Sequence, residues 1–292
     1  MIITERPAQP LASLRASGRR RSRGGRLPAA RYAAAFLLML VYLGPLVLLL
    51  NTALKSSHQF LTDPSGLTRS ADLANFGAAW SQGNFRTLIL NSLLYTGVCA
   101  TVSTLLSLMI AFPVARGYIR WSRSWLALFV VALFLPNALT TQFQLLLHLH
   151  LYNNRIGYML LLAAPLGVGP LLITGYVRSI PKELDEAAAI DGAGYFRYLY
   201  RFIVPLCRPV LLTAFVLQAI TVWNEIILAT ILLPDPGKLP VSAGLFAFYG
   251  QYSNEWPLLS AATLIVAFPL IIIYLLIQRQ LIAGALRGAF KG

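Results

Sequence analysis

Of the ten carboxylates in this 292-residue chain, four (Glu183, Asp185, Glu186 and Asp191) fall within one nine-residue stretch. Acids grouped in this way are unfavourable beside an anionic lipid leaflet, whereas a groove on a protein can pair them with cations. The chemistry they offer is docking rather than catalysis. Glu225 is a different case, the only acid inside a long apolar stretch, in the run Trp223-Asn224-Glu225. A charge near the centre of a bilayer costs on the order of 2.5–3.5 kcal/mol even on a lenient insertion scale, so Glu225 should face a bundle interior or a wet cavity. Three roles suit it: a proton-coupling carboxylate, a polar contact on a substrate path, or an interhelical hydrogen bond. Asn91, Gln142, Gln218 and Asn224 are uncharged polar residues in the same kind of apolar setting, each able to line a path or to tie two helices together.

Other chemistry finds little support. Cys99 and Cys207 are the only cysteines, both in or beside apolar stretches, which argues for membrane packing rather than a disulfide framework or a thiolate site. His148 and His150 stand close together, but a zinc centre needs three or four protein ligands. The chain contains no G-x-x-x-x-G-K-[ST] phosphate loop, so ATP hydrolysis is not expected on it. It contains neither H-E-x-x-H nor G-x-S-x-G, which weakens a membrane protease or acyltransferase. No catalytic residue, metal site or cofactor of its own is expected.

These residues sit in a chain that is 57% hydrophobic and 12% charged, where soluble domains carry about 25% charged residues. Six uncharged or nearly uncharged stretches, 32–54, 87–115, 124–154, 156–177, 209–234 and 256–278, each reach the length of about 20 residues that a bilayer core requires. The fold expected is therefore all-α and polytopic, with six transmembrane helices. The third stretch is interrupted by Pro136-Asn137. With the N-terminus inside, nineteen of the Lys and Arg residues fall on the cytoplasmic side and five on the other. This is the positive-inside pattern, and it accounts for the net charge of +14 without nucleic acid. Residues 1–31 form a basic cytoplasmic tail that can touch anionic lipid, and residues 32–292 form the six-span domain. Both termini are expected in the cytoplasm. The outer loops 55–86 and 235–255 could receive a soluble protein or cap the bundle.

The carboxylate cluster belongs to a polar island, 178–208, on the cytoplasmic side. Pro181 suits the first turn of a helix, and Ala187, Ala188 and Ala189 favour helix while leaving room for another backbone. Leu184, Ala187, Ala188 and Asp191 share one face at i, i+3, i+4 and i+7. Gly192 suits a left-handed helix end, and Pro205 should stop a second short helix. An elbow of two helices hinged at glycine is the expected docking surface.

The spacing Glu186-Ala187-Ala188, three residues, Gly192, nine residues, Phe202-Ile203-Val204-Pro205 resembles the "EAA" loop of binding-protein-dependent ABC importers, with Phe202 and Val204 standing where the family pattern has Ile and Leu. The resemblance extends over most of residues 32–292. Asn91-Ser92-Leu93, Ile180-Pro181-Lys182-Glu183-Leu184, Trp223-Asn224-Glu225, Leu239-Pro240-Val241 and Gly250-Gln251-Tyr252 are similar to the carbohydrate-uptake, MalG-like branch of these permeases. The resemblance implies a type I ABC importer permease fold in the cell membrane. It implies a heterodimeric pore with a second, MalF-like permease, a cytoplasmic ATPase dimer that holds ATP and Mg, an extracytoplasmic solute-binding protein and a sugar substrate. Glu183, Glu186, Ala187, Ala188, Asp191, Gly192 and Pro205 would form the ATPase-coupling loop. The tail with Gly288, Lys291 and Gly292 would reach into the ATPase dimer. A secondary transporter or channel that uses Glu225 as coupling group is the alternative expectation.

Overall fold

Residues 29–69, 71–136, 138–164, 167–252 and 254–289 are described by the computed structural model, and no strand occurs among them. The chain divides into two compact units, Met1–Leu46 and Val47–Gly292. The first holds the opening part of α1 (Ala29–Ala53), a helix without a charged residue beyond Arg31; all other elements belong to the second. Most of the basic tail, residues 1–28, lies outside the described residues, as do Lys291 and Gly292.

The loop after α1 is ordered by helices rather than left as coil. α2 (Ser57–Thr62) and α3 (Ala74–Gln82) occupy it. Their seat is polar: the fully buried Lys55 donates its Nζ to the carbonyls of Asp63 (2.7 Å) and Pro64 (2.9 Å). Asn75 Nδ2 donates to the carbonyls of Ala53 (2.9 Å) and Lys55 (2.8 Å), closing the C-terminal end of α1.

α4 (Phe85–Arg116) runs for 32 residues, roughly 48 Å at 1.5 Å per residue, well beyond the thickness of a hydrocarbon core. Its buried face includes Ser103, Thr104, Ser107 and Ala111, small residues that admit close helix neighbours. At Gly169 a Cβ would stand 2.9 Å from Ser107 Oγ, and at Gly244 one would stand 2.2 Å from Leu88 Cδ1. α4 is the rod against which the bundle packs, on α8 (below) and on the helix that follows the polar island.

The next two apolar stretches are not continuous helices. α5 (Ser122–Ala132) and α6 (Leu139–His148) are separated at Pro136, whose ring and missing N–H break the helical ladder. α7 (Arg155–Leu162) and α8 (Val168–Arg178) are separated near Gly167, which has φ +79°. The fifth stretch breaks as well, after Trp223. Among the described residues, four helical runs are long and apolar enough to cross a membrane: Arg31–Ala53, Phe85–Arg116, Tyr195–Trp223 and Trp256–Leu275. The expected helices over 124–154, 156–177 and 209–234 are thus each replaced by two shorter ones. Hydrophobic length alone does not specify an unbroken helix, because backbone groups freed at a break can be satisfied by neighbours inside a bundle.

The polar island holds α9 (Glu183–Ile190) and α10 (Tyr195–Tyr198), and the chain then continues through a π-helical turn, Leu199–Ile203, into α11 (Val204–Trp223). Pro205 therefore does not stop the second helix. It cannot donate to a carbonyl four residues back, and the turn before it widens so that Val204 N–H reaches the carbonyl of Leu199 instead. The expected second short helix is the first turns of a long one. α12 (Ile227–Leu232), a 3₁₀ turn at Pro236–Lys238, α13 (Val241–Gln251) and α14 (Trp256–Ala289) complete the chain, so the loop 235–255 is largely helical too.

Candidate functional site

α9 begins with three acids in its first turn, Glu183, Asp185 and Glu186, which suit the positive end of a helix dipole. It ends in a Schellman motif. The N–H of Gly192 bonds the carbonyl of Ala189 (3.1 Å) and the N–H of Ala193 that of Ala188 (2.9 Å), with Gly192 at φ +69°. Nothing lies within 4 Å of the place where a Gly192 Cβ would stand, so the glycine answers a backbone conformation and not a crowded contact.

The helix has two unlike faces. Inward, Ala188 is 6% exposed and packs in a core with Leu108, Phe112, Ile173, Val177 and Tyr198. Outward, Glu183, Glu186, Ala187, Ala189 and Asp191 are exposed, and Ile190 is 86% exposed. The face expected from spacing, with Leu184, Ala187, Ala188 and Asp191 together, is therefore divided. Ala188 is an anchor of the helix, and the free surface is carried by its neighbours.

Asp185, next to Ala188 on the inner side, is held by three side chains. Arg116, the last residue of α4, lies with its side chain only 2% exposed against 12% for Asp185. Its Nη2 donates to Asp185 Oδ1 (3.0 Å), its Nε makes an ion-pair contact with Oδ2 (2.7 Å), and its Nη1 donates to the carbonyl of Ile180 (2.8 Å). The hydroxyl of Tyr118 donates to Asp185 Oδ2 (3.0 Å) and that of Tyr198 to Oδ1. Gly117, at φ +75°, turns the chain after α4 so that Tyr118 can reach back. Burial, and after it the bond to the Asp185 carboxylate, raises the Tyr118 pKa above the ordinary phenol value, so it stays a donor near neutral pH. Phe112 packs its ring against Tyr118, Tyr195 and Tyr198 with centroids 5.7–6.1 Å apart. Sequence spacing marks the acids of α9 as a group but does not single out Asp185, and it treats Arg116 only as a positive-inside charge. The signal that was available is an arginine placed at the last turn of the longest polar-faced helix.

The polar residues read as path candidates have structural partners. Asn91, buried on α4, donates Nδ2 to the carbonyls of Gly237 (2.9 Å) and Leu239 (3.0 Å). Tyr95 and Arg155 support the same turn by donating to the carbonyls of Lys238 (2.7 Å) and Gly237 (3.1 Å). Gln218 Nε2 donates to the carbonyl of Leu162 (2.8 Å), the last residue of α7. Asn224 Nδ2 donates to the carbonyl of Ile220 (2.9 Å), and Glu225 Oε1 accepts the N–H of Leu228 (2.9 Å), so these two residues close the break between α11 and α12. Gln142 is half-buried and its Oε1 has no hydrogen-bond partner. A cleft lined by Ile226, Ser242, Phe246, Tyr249 and Thr263 opens beside the Asn224–Ile226 break, away from Asn91, Gln142 and Gln218. The structure does not bring the five path candidates into one site. Gly288 lies in the last turn of α14. No group of three or more His, Cys, Asp or Glu residues able to hold a metal occurs among the described residues.

The short, two-faced helix α9 is thus carried at the end of the 32-residue helix α4 in an apolar helical bundle. Residues 101–285 match the family described as the binding-protein-dependent transport system inner membrane component. The chain belongs to this family and is an ABC importer permease, a transport component rather than an enzyme. Among similar curated proteins, the melibiose/raffinose/stachyose import permease MelC of Bacillus subtilis is 28% identical over 85% of this chain and 91% of its own length. The probable ABC transporter permease YurM of the same species is 30% identical over 88% of this chain and 86% of its own. The sulfoquinovosyl glycerol transport system permease SmoH of Agrobacterium fabrum is 27% identical over 90% and 93%. A solved chain from a bacterial ABC transporter involved in import of the acidic polysaccharide alginate shares the fold, with TM-score 0.75 and 22% identity over 86% of this chain and 95% of that one.

Proposed function

We propose that this chain is the MalG-like pore subunit of an ATP-driven sugar importer in the cytoplasmic membrane. It pairs with a second, MalF-like permease, receives sugar from an extracytoplasmic solute-binding protein, and is driven by a cytoplasmic ATPase dimer that uses ATP and Mg. Both termini and the 178–208 loop face the cytoplasm, in keeping with the nineteen-to-five division of Lys and Arg. The chain crosses the membrane six times, the third, fourth and fifth crossings as broken helices. Sugar as the substrate class is supported by the sugars named for relatives such as MelC.

The observation that carries the coupling is the two-sidedness of α9. One face is anchored through Ala188 and Asp185, while Glu183, Glu186, Ala187, Ile190 and Asp191 are free to seat in a partner. When ATP binding closes the ATPase dimer, α9 moves with the subunit that holds it. The helices anchored to α9 carry that movement into the bundle, and the central cavity turns outward to accept sugar. The carboxyl-terminal Gly288, Lys291 and Gly292 reach toward the same ATPase, and Asn224 and Glu225 border the path. Glu225 already caps α12, which weighs against a proton-coupling role.

The test is uptake of a radiolabelled sugar panel that includes melibiose and raffinose, in cells carrying the complete transporter. Glu186→Arg and Gly192→Val are expected to abolish uptake while the chain remains inserted. Full uptake in both variants would overturn the docking role of α9.

A further inference from the structure

The loop-to-bundle connection contains one joint that stands out from ordinary packing. Arg116 closes α4 and grips α9 through Asp185 with one hydrogen bond from Nη2 and a close ion-pair contact at Nε, while its Nη1 holds the carbonyl of Ile180 just before α9 begins. Two hydroxyls, from Tyr118 and Tyr198, occupy the other lone pairs of the same carboxylate. The four side chains come from α4, from the turn after it, from α9 and from α10, so the carboxylate joins the end of α4 to both short helical segments of the loop. A planar guanidinium fork fixes direction as well as distance, which a single ammonium or an apolar contact does not. The opposite end of α4 is pinned by Asn91 and Tyr95 to the turn at 237–239. α4 is thus a rod fixed at one end to α9 and at the other to the far loop.

We propose that Arg116 and Asp185 are the positioning pair of the transporter: they make α9 and the end of α4 one rigid body, so that a displacement of α9 appears undiminished along α4. This rests on the reading of α9 as the ATPase-coupling helix. Neither residue touches nucleotide or sugar. The pair acts by removing slack, because a carboxylate tied at once to a guanidinium and two hydroxyls has few alternative geometries, and losing one member leaves a largely buried charge that seeks other partners.

The experiment uses the whole complex in lipid nanodiscs. Spin labels are placed at K182C, at the start of α9, and at M109C, on an exposed face of α4; the native Cys99 and Cys207 are buried. Distances are measured without nucleotide and with ATP and vanadate. In the parent protein the 182–109 distance is expected to be single and unchanged between the two states. D185N, which keeps the size and a hydrogen-bonding group but not the charge, should broaden the distribution about twofold while the ATPase still co-purifies. D185E should restore a narrow one. If D185N loses the ATPase, R116K supplies the measurement, since it keeps the charge and loses the fork; the same broadening is expected. A distance that shifts between states in the parent protein, or a D185N or R116K distribution as narrow as the parent's, overturns the proposal. The coupling reading is tested separately by cross-linking from A189C to the co-purified ATPase. Absence of that cross-link would overturn the reading and this inference with it, whatever the label distances.

Discussion

The amide of Asn91 donates to the carbonyls of both Gly237 and Leu239, residues 146 and 148 positions away in sequence. A side chain in the second turn of a membrane-length helix is spent on two backbone groups of a turn, and the hydroxyl of its neighbour Ser92 accepts the N–H of Val241 at 2.7 Å. The turn between α12 and α13 is therefore shaped by α4 and not by its own residues alone.

Asn91→Leu should destabilise the protein by about 1–3 kcal/mol, because both carbonyls lose a donor in a site that water reaches poorly. Thermal unfolding in detergent checks this. Arg155→Gln should cost less than about 1 kcal/mol, since Arg155 is exposed and the Gly237 carbonyl keeps its bond from Asn91.

Gly192→Ala should cost about 1–2 kcal/mol, the penalty for a Cβ in the left-handed region, with no added clash. Gly192→Asn should lose less, because asparagine visits this region more readily. Thermal stability of the two variants ranks them, and an alanine variant as stable as the parent would contradict the Schellman ending of α9.

Asp235 gives a pH effect with a defined sign. Its pKa is lowered, first by the N–H of Gly237 at 2.9 Å, with desolvation opposing and Lys238 and Arg155 lowering it further. A carboxylate with a depressed folded pKa stabilises above its unfolded value and loses that contribution as pH falls through the folded one. The protection factor of the Gly237 amide, its exchange rate relative to the intrinsic rate at each pH, should therefore fall below about pH 4. Asp235→Asn should remove most of that acid dependence while the turn stays folded at neutral pH.

The parts of the structure legible in the sequence are those decided locally. Gly192 could be read as a helix end because few other residues take a positive φ cheaply, and Glu183, Glu186 and Asp191, though not Asp185, are exposed as expected of carboxylates that would otherwise be buried unpaired. The inward turn of Ala188 was not legible: an alanine is equally at home on either face of a helix, and its direction is set by Phe112, far away in sequence, and by Tyr198 of the next helix. Nor was the pairing of Arg116 with Asp185, 69 residues apart, since it depends on α4 and α9 meeting. Proline at 136 and 205 has opposite outcomes, a break in one case and a widened turn in the other, because the neighbouring backbone groups differ in what else they can bond.

The breaks in the apolar stretches give Gln218, Asn224 and Glu225 a common task, the satisfaction of helix ends that lipid cannot reach with water. This leads to opposite expectations for Glu225 under the two transport mechanisms. A cap needs an acceptor oxygen and no proton, so Glu225→Gln retains the bond from Leu228 N–H and should keep ATP-dependent uptake within about threefold of the parent. Glu225→Leu removes the acceptor and should destabilise by about 0.5–2 kcal/mol, the usual loss of a helix cap. A proton-coupled carrier would respond differently: the glutamine variant could not exchange a proton, and uptake would collapse in it as fully as in the leucine variant. Uptake in vesicles supplied with ATP, measured with and without a proton gradient, separates the two. Persistence of uptake in Glu225→Gln with the gradient dissipated places Glu225 among the residues that hold the broken helix together.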